Sequence, residues 1–100
     1  MFCVIYQWKV KIGKEKDFQD TWRSITEAIF RQHDSLGSRL HRSDDGTWIA
    51  YAQWPDRECW QNHSQTLGID LARSRQSECL SEEPLVLHKL TVTDDLLKHV

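Results

Sequence analysis

Residues 41–60 read HRSDDGTWIAYAQWPDRECW and hold three of the chain's five tryptophans. Asp45-Gly46 at their centre is a favoured two-residue hairpin turn, whose central positions both require positive φ. Alternation on either side fits that turn, with Ser43 opposite Trp48, His41 opposite Ala50, Leu40 opposite Tyr51 and Arg39 opposite Ala52. One face of the hairpin then carries Arg39, His41, Trp48, Ala50, Ala52 and Trp54. The other carries Leu40, Arg42, Ile49, Tyr51 and Gln53. Pro55-Asp56 stops the second strand, and Asp56 is placed to cap a helix. Tryptophan needs burial for its body and a partner for its N–H. Two indoles with small alanines between them read as a flat slot for a ligand. The same pattern also suits a core in which Ala50 and Ala52 let a helix approach.

Working outward from the hairpin, Phe2, Val4, Tyr6, Trp8, Val10 and Ile12 share one face of a first strand over residues 2–12. Gly13 ends it. From about Glu15 the period changes, and Phe18, Trp22, Ile25 and Ile29 form one stripe of an amphipathic helix without a good N-cap. Gly37 marks its end or the turn after it. On the other side, the helix opened by Asp56 sets Trp60, His63 or Ser64, and Leu67 along one side. Gly68 breaks it, and a further turn or two carries Leu71, Ala72 and Arg75. SEEP (residues 81–84) is a loop, LVLHKLTV (85–92) a last strand and DDLLKHV (94–100) a tail. The order is βαββαβ. It predicts an α+β, ferredoxin-like domain over residues 1–100, a four-stranded antiparallel sheet with its helices on one face. The second face holds Ile5, Leu40, Ile49 and Tyr51, or else the alternating set, and either is too apolar for water. A homodimer through the sheet faces is therefore expected, with Leu96 and Leu97 of the tail reaching across.

Composition narrows the function. A net charge of −2 argues against a nucleic-acid surface, and no apolar stretch approaches a membrane span. The three cysteines are odd in number and far apart, with no C-x-x-C pair, which fits a reducing cytoplasm. The opening MFCVIYQWKVKI alternates where a signal peptide would run on apolar, and has no basic start.

LHRSDDGTWIAYAQWPDRECW (40–60), VKIGKEKDF (10–18) and LTVTDDLL (90–97) together resemble the antibiotic biosynthesis monooxygenase domain family. The resemblance implies a dimeric α+β barrel with a pocket between sheet and helices of each protomer. It also implies, for some members, oxidation of phenols or quinols by O₂ without metal or flavin. A related branch degrades haem and needs an Asn on the first strand, a Trp in the second helix and a His ten residues on. Those positions here are Tyr6, His63 and Arg73, so the haem pattern is absent.

Dioxygen is a triplet, so an oxygenase without cofactor must make its substrate the electron donor. That requires a base near neutrality, a donor for the resulting anion and apolar walls. His63 is the candidate base, because histidine alone has an ordinary pKa near neutrality, and its rate profile should rise near pH 6–7. Tyr6 is the candidate donor. Arg39, His41, Trp48, Ala50, Ala52, Trp54 and Trp60 are the candidate walls for a small aromatic ligand, while Trp8 and Trp22 read as core. Each also has a plainer reading as packing. Cys59 and His63 have a two-ligand spacing, but no second pair supports zinc, and no metal or cofactor is expected. The alternative function is a dimeric binding or interaction module that lacks the chemistry.

Overall fold

A computed structural model describes residues 1–98. Its elements run β1 (Phe2–Trp8), α1 (Glu15–Gln32), β2 (Gly37–Arg42), β3 (Trp48–Trp54), α2 (Arg57–Asn62), a 3₁₀ turn (His63–Gln65), α3 (Asp70–Glu78) and β4 (Leu85–Thr91). The four strands make one antiparallel sheet in the order β2-β3-β1-β4, the ferredoxin-like arrangement.

The central pair explains the rest. β1 and β3 set Phe2 opposite Trp54, Val4 opposite Ala52, Tyr6 opposite Ala50 and Trp8 opposite Trp48. Directly opposed residues share a face, so this row is the inner one. Its ends are aromatic pairs and its middle is alanine. Phe18 of α1 plugs one end, its ring 5.5 Å from both Trp8 and Trp48, and is fully buried. Phe2, Val4, Ala52 and Trp54 close the other end. Val10 continues the line only as an isolated bridge to Leu80. Ile12, expected on the inner face, is instead 99% exposed, because β1 ends at Trp8 and Ile12 lies in the turn that Lys14 N–H closes by donating to Lys11 O.

The hairpin register differs from the expected one by a single residue. Its loop has three residues, Asp44-Asp45-Gly46, closed by Ser43 N–H donating to Thr47 O at 2.8 Å and Gly46 N–H to Ser43 O at 2.9 Å. Only Gly46 takes positive φ, 87°, whereas a two-residue turn would force Asp45 there too. Asp45 is held by its side chain, which accepts from Thr47 N–H and Thr47 hydroxyl at 2.9 and 2.6 Å. Arg39 therefore pairs with Tyr51, Leu40 with Ala50, His41 with Ile49 and Arg42 with Trp48. Burial decides between the registers. The observed one seats Leu40 against the Trp8–Phe18–Trp48 cluster. The expected one would turn Arg39 and His41 into that apolar layer and put Leu40 outside.

Arg39 and His41 accordingly lie on the outer face, and Leu40 leaves it. That face now holds Cys3, Ile5, Ile49 and Tyr51, with Leu85 and Leu90 of β4 opposite Gln7 and Cys3. β4 is an edge strand with every residue exposed, and Leu85, Val86, Leu87 and Leu90 are each 39–49% exposed. Its pairing with β1 shifts between Ile5 and Tyr6, leaving Leu87 as the extra residue of a bulge.

The second helical segment is interrupted as expected. Asp56 caps α2 by accepting from Cys59 N–H at 2.9 Å. After the 3₁₀ turn, Gly68 reverses the chain at φ 79° and α3 begins. Two contacts fix this break to the end of α1. Gln32 exchanges two 2.8 Å hydrogen bonds with the backbone N–H and C=O of Leu67, and His33 bonds Thr66 Oγ1 at 3.0 Å. α3 then packs on α1, with Ile69 against Ile25 and Ala28. A space is left between this helical layer and the alanine floor of the sheet.

Candidate functional site

That space is a cavity of about 130 Å³. Tyr6, Ala50, Ala52 and Trp54 line it from the sheet, and Trp22, Ile25 and Ile29 from α1. Arg73 and Gln76 of α3 line it too, with His63 from the turn between the helices. Ser35 and Ser38, on the approach to β2 and its start, and Thr26 complete the polar part. Of these lining residues only Arg73 is exposed, which marks the side on which the cavity meets solvent.

His63 sits between two indoles, its ring 5.8 Å from Trp54 and 5.9 Å from Trp60. Its Nδ1 meets the Trp60 carbonyl. A carbonyl only accepts, so Nδ1 carries the proton and Nε2 of the neutral ring carries the lone pair. Burial pushes the imidazole below its ordinary 6.5, outweighing the carbonyl bond, and the charges of Arg73 and His33 push the same way. The ring is therefore neutral at pH 7, with Nε2 as a free base.

Tyr6 stands on the central strand where its partner Ala50 leaves room. Its hydroxyl accepts a 2.7 Å hydrogen bond from Trp60 Nε1. The hydroxyl's own hydrogen has no acceptor among the described residues. Burial raises the phenol's pKa, so it stays protonated and able to donate. Trp60 thus orders both groups, one through its indole N–H and the other through its carbonyl. The Trp54 indole N–H is buried with no partner, a second unused donor among the described residues.

The expected site residues divide cleanly. Tyr6, Ala50, Ala52, Trp54 and His63 share the cavity. Trp60 supports it from behind. Trp48 is core, packed on Phe18. Arg39 and His41 are on the opposite face, a correction that follows from the three-residue loop, and His41 Nδ1 bonds the carbonyl of Ile49 there. Trp22, read as core, is a wall. Arg73 and Gln76 were missed as wall residues, since α3 is nearly all polar and its inward side is set only by docking on α1. Their spacing of three, one helical turn, was the available signal.

Among the described residues, no group of three or more His, Cys, Asp or Glu stands together as a metal site. The residues expected at the haem-branch positions, Tyr6, His63 and Arg73, line the cavity, whose volume of about 130 Å³ is far smaller than a porphyrin. Among the described residues, no helix is long and apolar enough to cross a membrane.

The fold is shared with known structures. SnoaB, a cofactor-independent oxygenase from Streptomyces nogalater, superposes with a TM-score of 0.77 over 97% of each chain at 15% identity. Rv0793 from Mycobacterium tuberculosis gives 0.79 at 14% identity, covering 96% of this chain and 98% of its own. A conserved protein from Methanosarcina mazei gives 0.76 at 16% identity over 89% of each. No curated protein matches the chain. The family model for antibiotic biosynthesis monooxygenase matches residues 1–78, which takes in β1 through α3 with the cavity, and the chain belongs to that family.

Proposed function

We propose that this protein is a cofactor-independent monooxygenase acting on a small phenol or quinol. The observation that carries the reading is the pairing of a neutral imidazole, its Nε2 free, with a protonated phenol whose hydrogen is unused, on one largely apolar cavity. His63 Nε2 takes the substrate's hydroxyl proton, and Tyr6 donates to the oxygen left behind. The phenolate then gives one electron to O₂, and the radical pair couples at a ring carbon bearing hydrogen. The peroxide so formed takes the proton from His63 and loses water, leaving a carbonyl. One oxygen atom ends in the product and one in water, so a phenol becomes a quinone with no external reductant. The similarity to SnoaB supports the reaction class. The unpaired cysteines are consistent with a reducing cytoplasm.

We further propose that two copies associate through the outer sheet face. Ile5, Ile49, Tyr51, Leu85 and Leu90 form an apolar surface there, over the buried Cys3, that water does not favour. The tail (94–100) is proposed to cross to the partner, with Leu96 96% and Leu97 65% exposed on this chain alone. Its last two residues lie outside the described ones.

Oxygen uptake with a panel of hydroquinones and phenols, with and without EDTA, tests the reaction. The expected result is one O₂ consumed per quinone formed, unchanged by chelator. Saturable binding of the same compounds without uptake would refute it and leave a binding module.

A further inference from the structure

The cavity's polar complement is lopsided. Its lining residues include no Asp or Glu, and the only full charge among them is the guanidinium of Arg73. Arg73 makes no ion pair or hydrogen bond through its side chain among the described residues, and neither does the Gln76 carboxamide one turn on. The two lie on one side of α3 at the open mouth. Deeper in, the Tyr6 hydroxyl adds a donor that has no acceptor among the described residues. Unpartnered donors therefore stand at opposite ends of the cavity, one at Tyr6 and the others on Arg73 and Gln76.

Size sets a second limit. An engineered apolar cavity of about 150 Å³ holds a benzene molecule. At about 130 Å³ this space takes one aromatic ring and little more. A fused polycycle would have to displace Trp22 or Trp54.

We propose that the ligand is a single-ring phenol carrying a carboxylate, its hydroxyl at Tyr6 and His63 and its carboxylate held at the mouth by Arg73 and Gln76. This rests on reading the cavity as a phenol site and adds the class of phenol. Two observations favour a permanent anion on the ligand over Arg73 serving only the transient phenolate. Arg73 is exposed at the mouth while Tyr6 and His63 are half-buried, and Tyr6 already supplies a donor for the phenolate. A guanidinium fork matches a carboxylate by two parallel hydrogen bonds, and the neighbouring carboxamide N–H₂ reaches the same group.

Binding without oxygen separates this proposal from the oxygenase reaction. The probes are 3-hydroxybenzoate and its neutral counterpart 3-hydroxybenzamide, titrated anaerobically by quenching of tryptophan fluorescence. Wild type should bind the acid about tenfold more tightly than the amide, the worth of one partly solvated charge-assisted pair. Raising the ionic strength should narrow the gap. Arg73→Met keeps the length and apolar stem; it should remove the preference by weakening acid binding about tenfold more than amide binding. Equal binding of acid and amide by wild type, a preference that survives Arg73→Met, or binding of neither probe would each overturn the proposal. Acid-selective binding with no oxygen uptake in air would uphold it and refute the oxygenase reaction; oxidation of hydroquinone without acid selectivity would do the reverse.

Discussion

Replacing Ala52 by leucine distinguishes an open cavity from a packed core. Ala52 is 7% exposed and lines the cavity. Ala28, 6% exposed, stands on α1 against Ile25 and Ile69 and is not among the residues lining this cavity. The same substitution at both sites adds three carbons to equally buried positions. Seated in free space, they gain about 2.4 kcal/mol at about 0.8 kcal/mol per methylene. The cavity itself sets the ceiling: about 24 cal/mol per Å³ over about 130 Å³ is about 3 kcal/mol. Imperfect fit removes about 1–3 kcal/mol of that. Ala52→Leu should therefore change stability by between about −0.6 and about +1.4 kcal/mol, a rise in melting temperature of at most roughly 8 °C for a chain of this length. Ala28→Leu has only the misfit and should lose about 1–3 kcal/mol. Urea unfolding followed by tryptophan fluorescence, at one protein concentration throughout, measures both. Ala52→Leu should also abolish phenol binding, because the ring's place is taken. If Ala52→Leu loses as much stability as Ala28→Leu, or still binds phenols, the space is not there and the site falls with it.

Three further outcomes are expected. His63→Gln should abolish turnover, and in wild type kcat/KM should rise with pH through a midpoint below 6.5, because burial lowers the imidazole's pKa. The sign for stability follows: above pH 6.5 the ring is neutral folded or unfolded, so it makes no difference there. As pH falls below 6.5 the unfolded chain takes the proton first, so wild type should lose stability relative to His63→Gln in parallel urea titrations. Tyr6→Phe should lower turnover at least about tenfold and cost about 1 kcal/mol, since it leaves Trp60 Nε1 half-buried without its acceptor. Leu90→Asp places a charge on the outer face beside Cys3 and Ile5, and should shift the sedimentation coefficient from dimer to monomer at about 10 µM while the far-ultraviolet spectrum stays native.

The order of elements was legible because each of the long ones has a single clear period: two in β1 and β3, near 3.6 in α1. Register was not. Asp-Gly signals a two-residue turn by backbone preference alone, but the Asp45 carboxylate bonding Thr47 stabilises a loop one residue longer, and the phase of β2 depends on that residue. Leu40 held the corrective clue, since only one register buries it. Tyr6, His63 and the two alanines were readable as members of one wall because strand parity and helix spacing carry that information. Trp22, Ile25 and Ile29 were not separable from core, as a cavity lining and a core are both apolar stripes. Arg73 and Gln76 were hidden for another reason. A polar helix shows no inner side in its sequence, and α3 acquires one only by docking on α1.

The two hydrogen bonds between Gln32 and residue 67 read a peptide unit and ignore the side chain attached to it. Leu67 itself is 77% exposed. Residue 67 is therefore free to drift among most amino acids other than proline, whose missing N–H would undo one bond. Position 32 has no such freedom, because only an amide offers donor and acceptor together at that reach. In a library of variants the polar surface residue should be the intolerant one and the leucine the permissive one, an inversion of the usual expectation for such a pair. The join that holds His63 and α3 to the end of α1 is in this sense written on one side only.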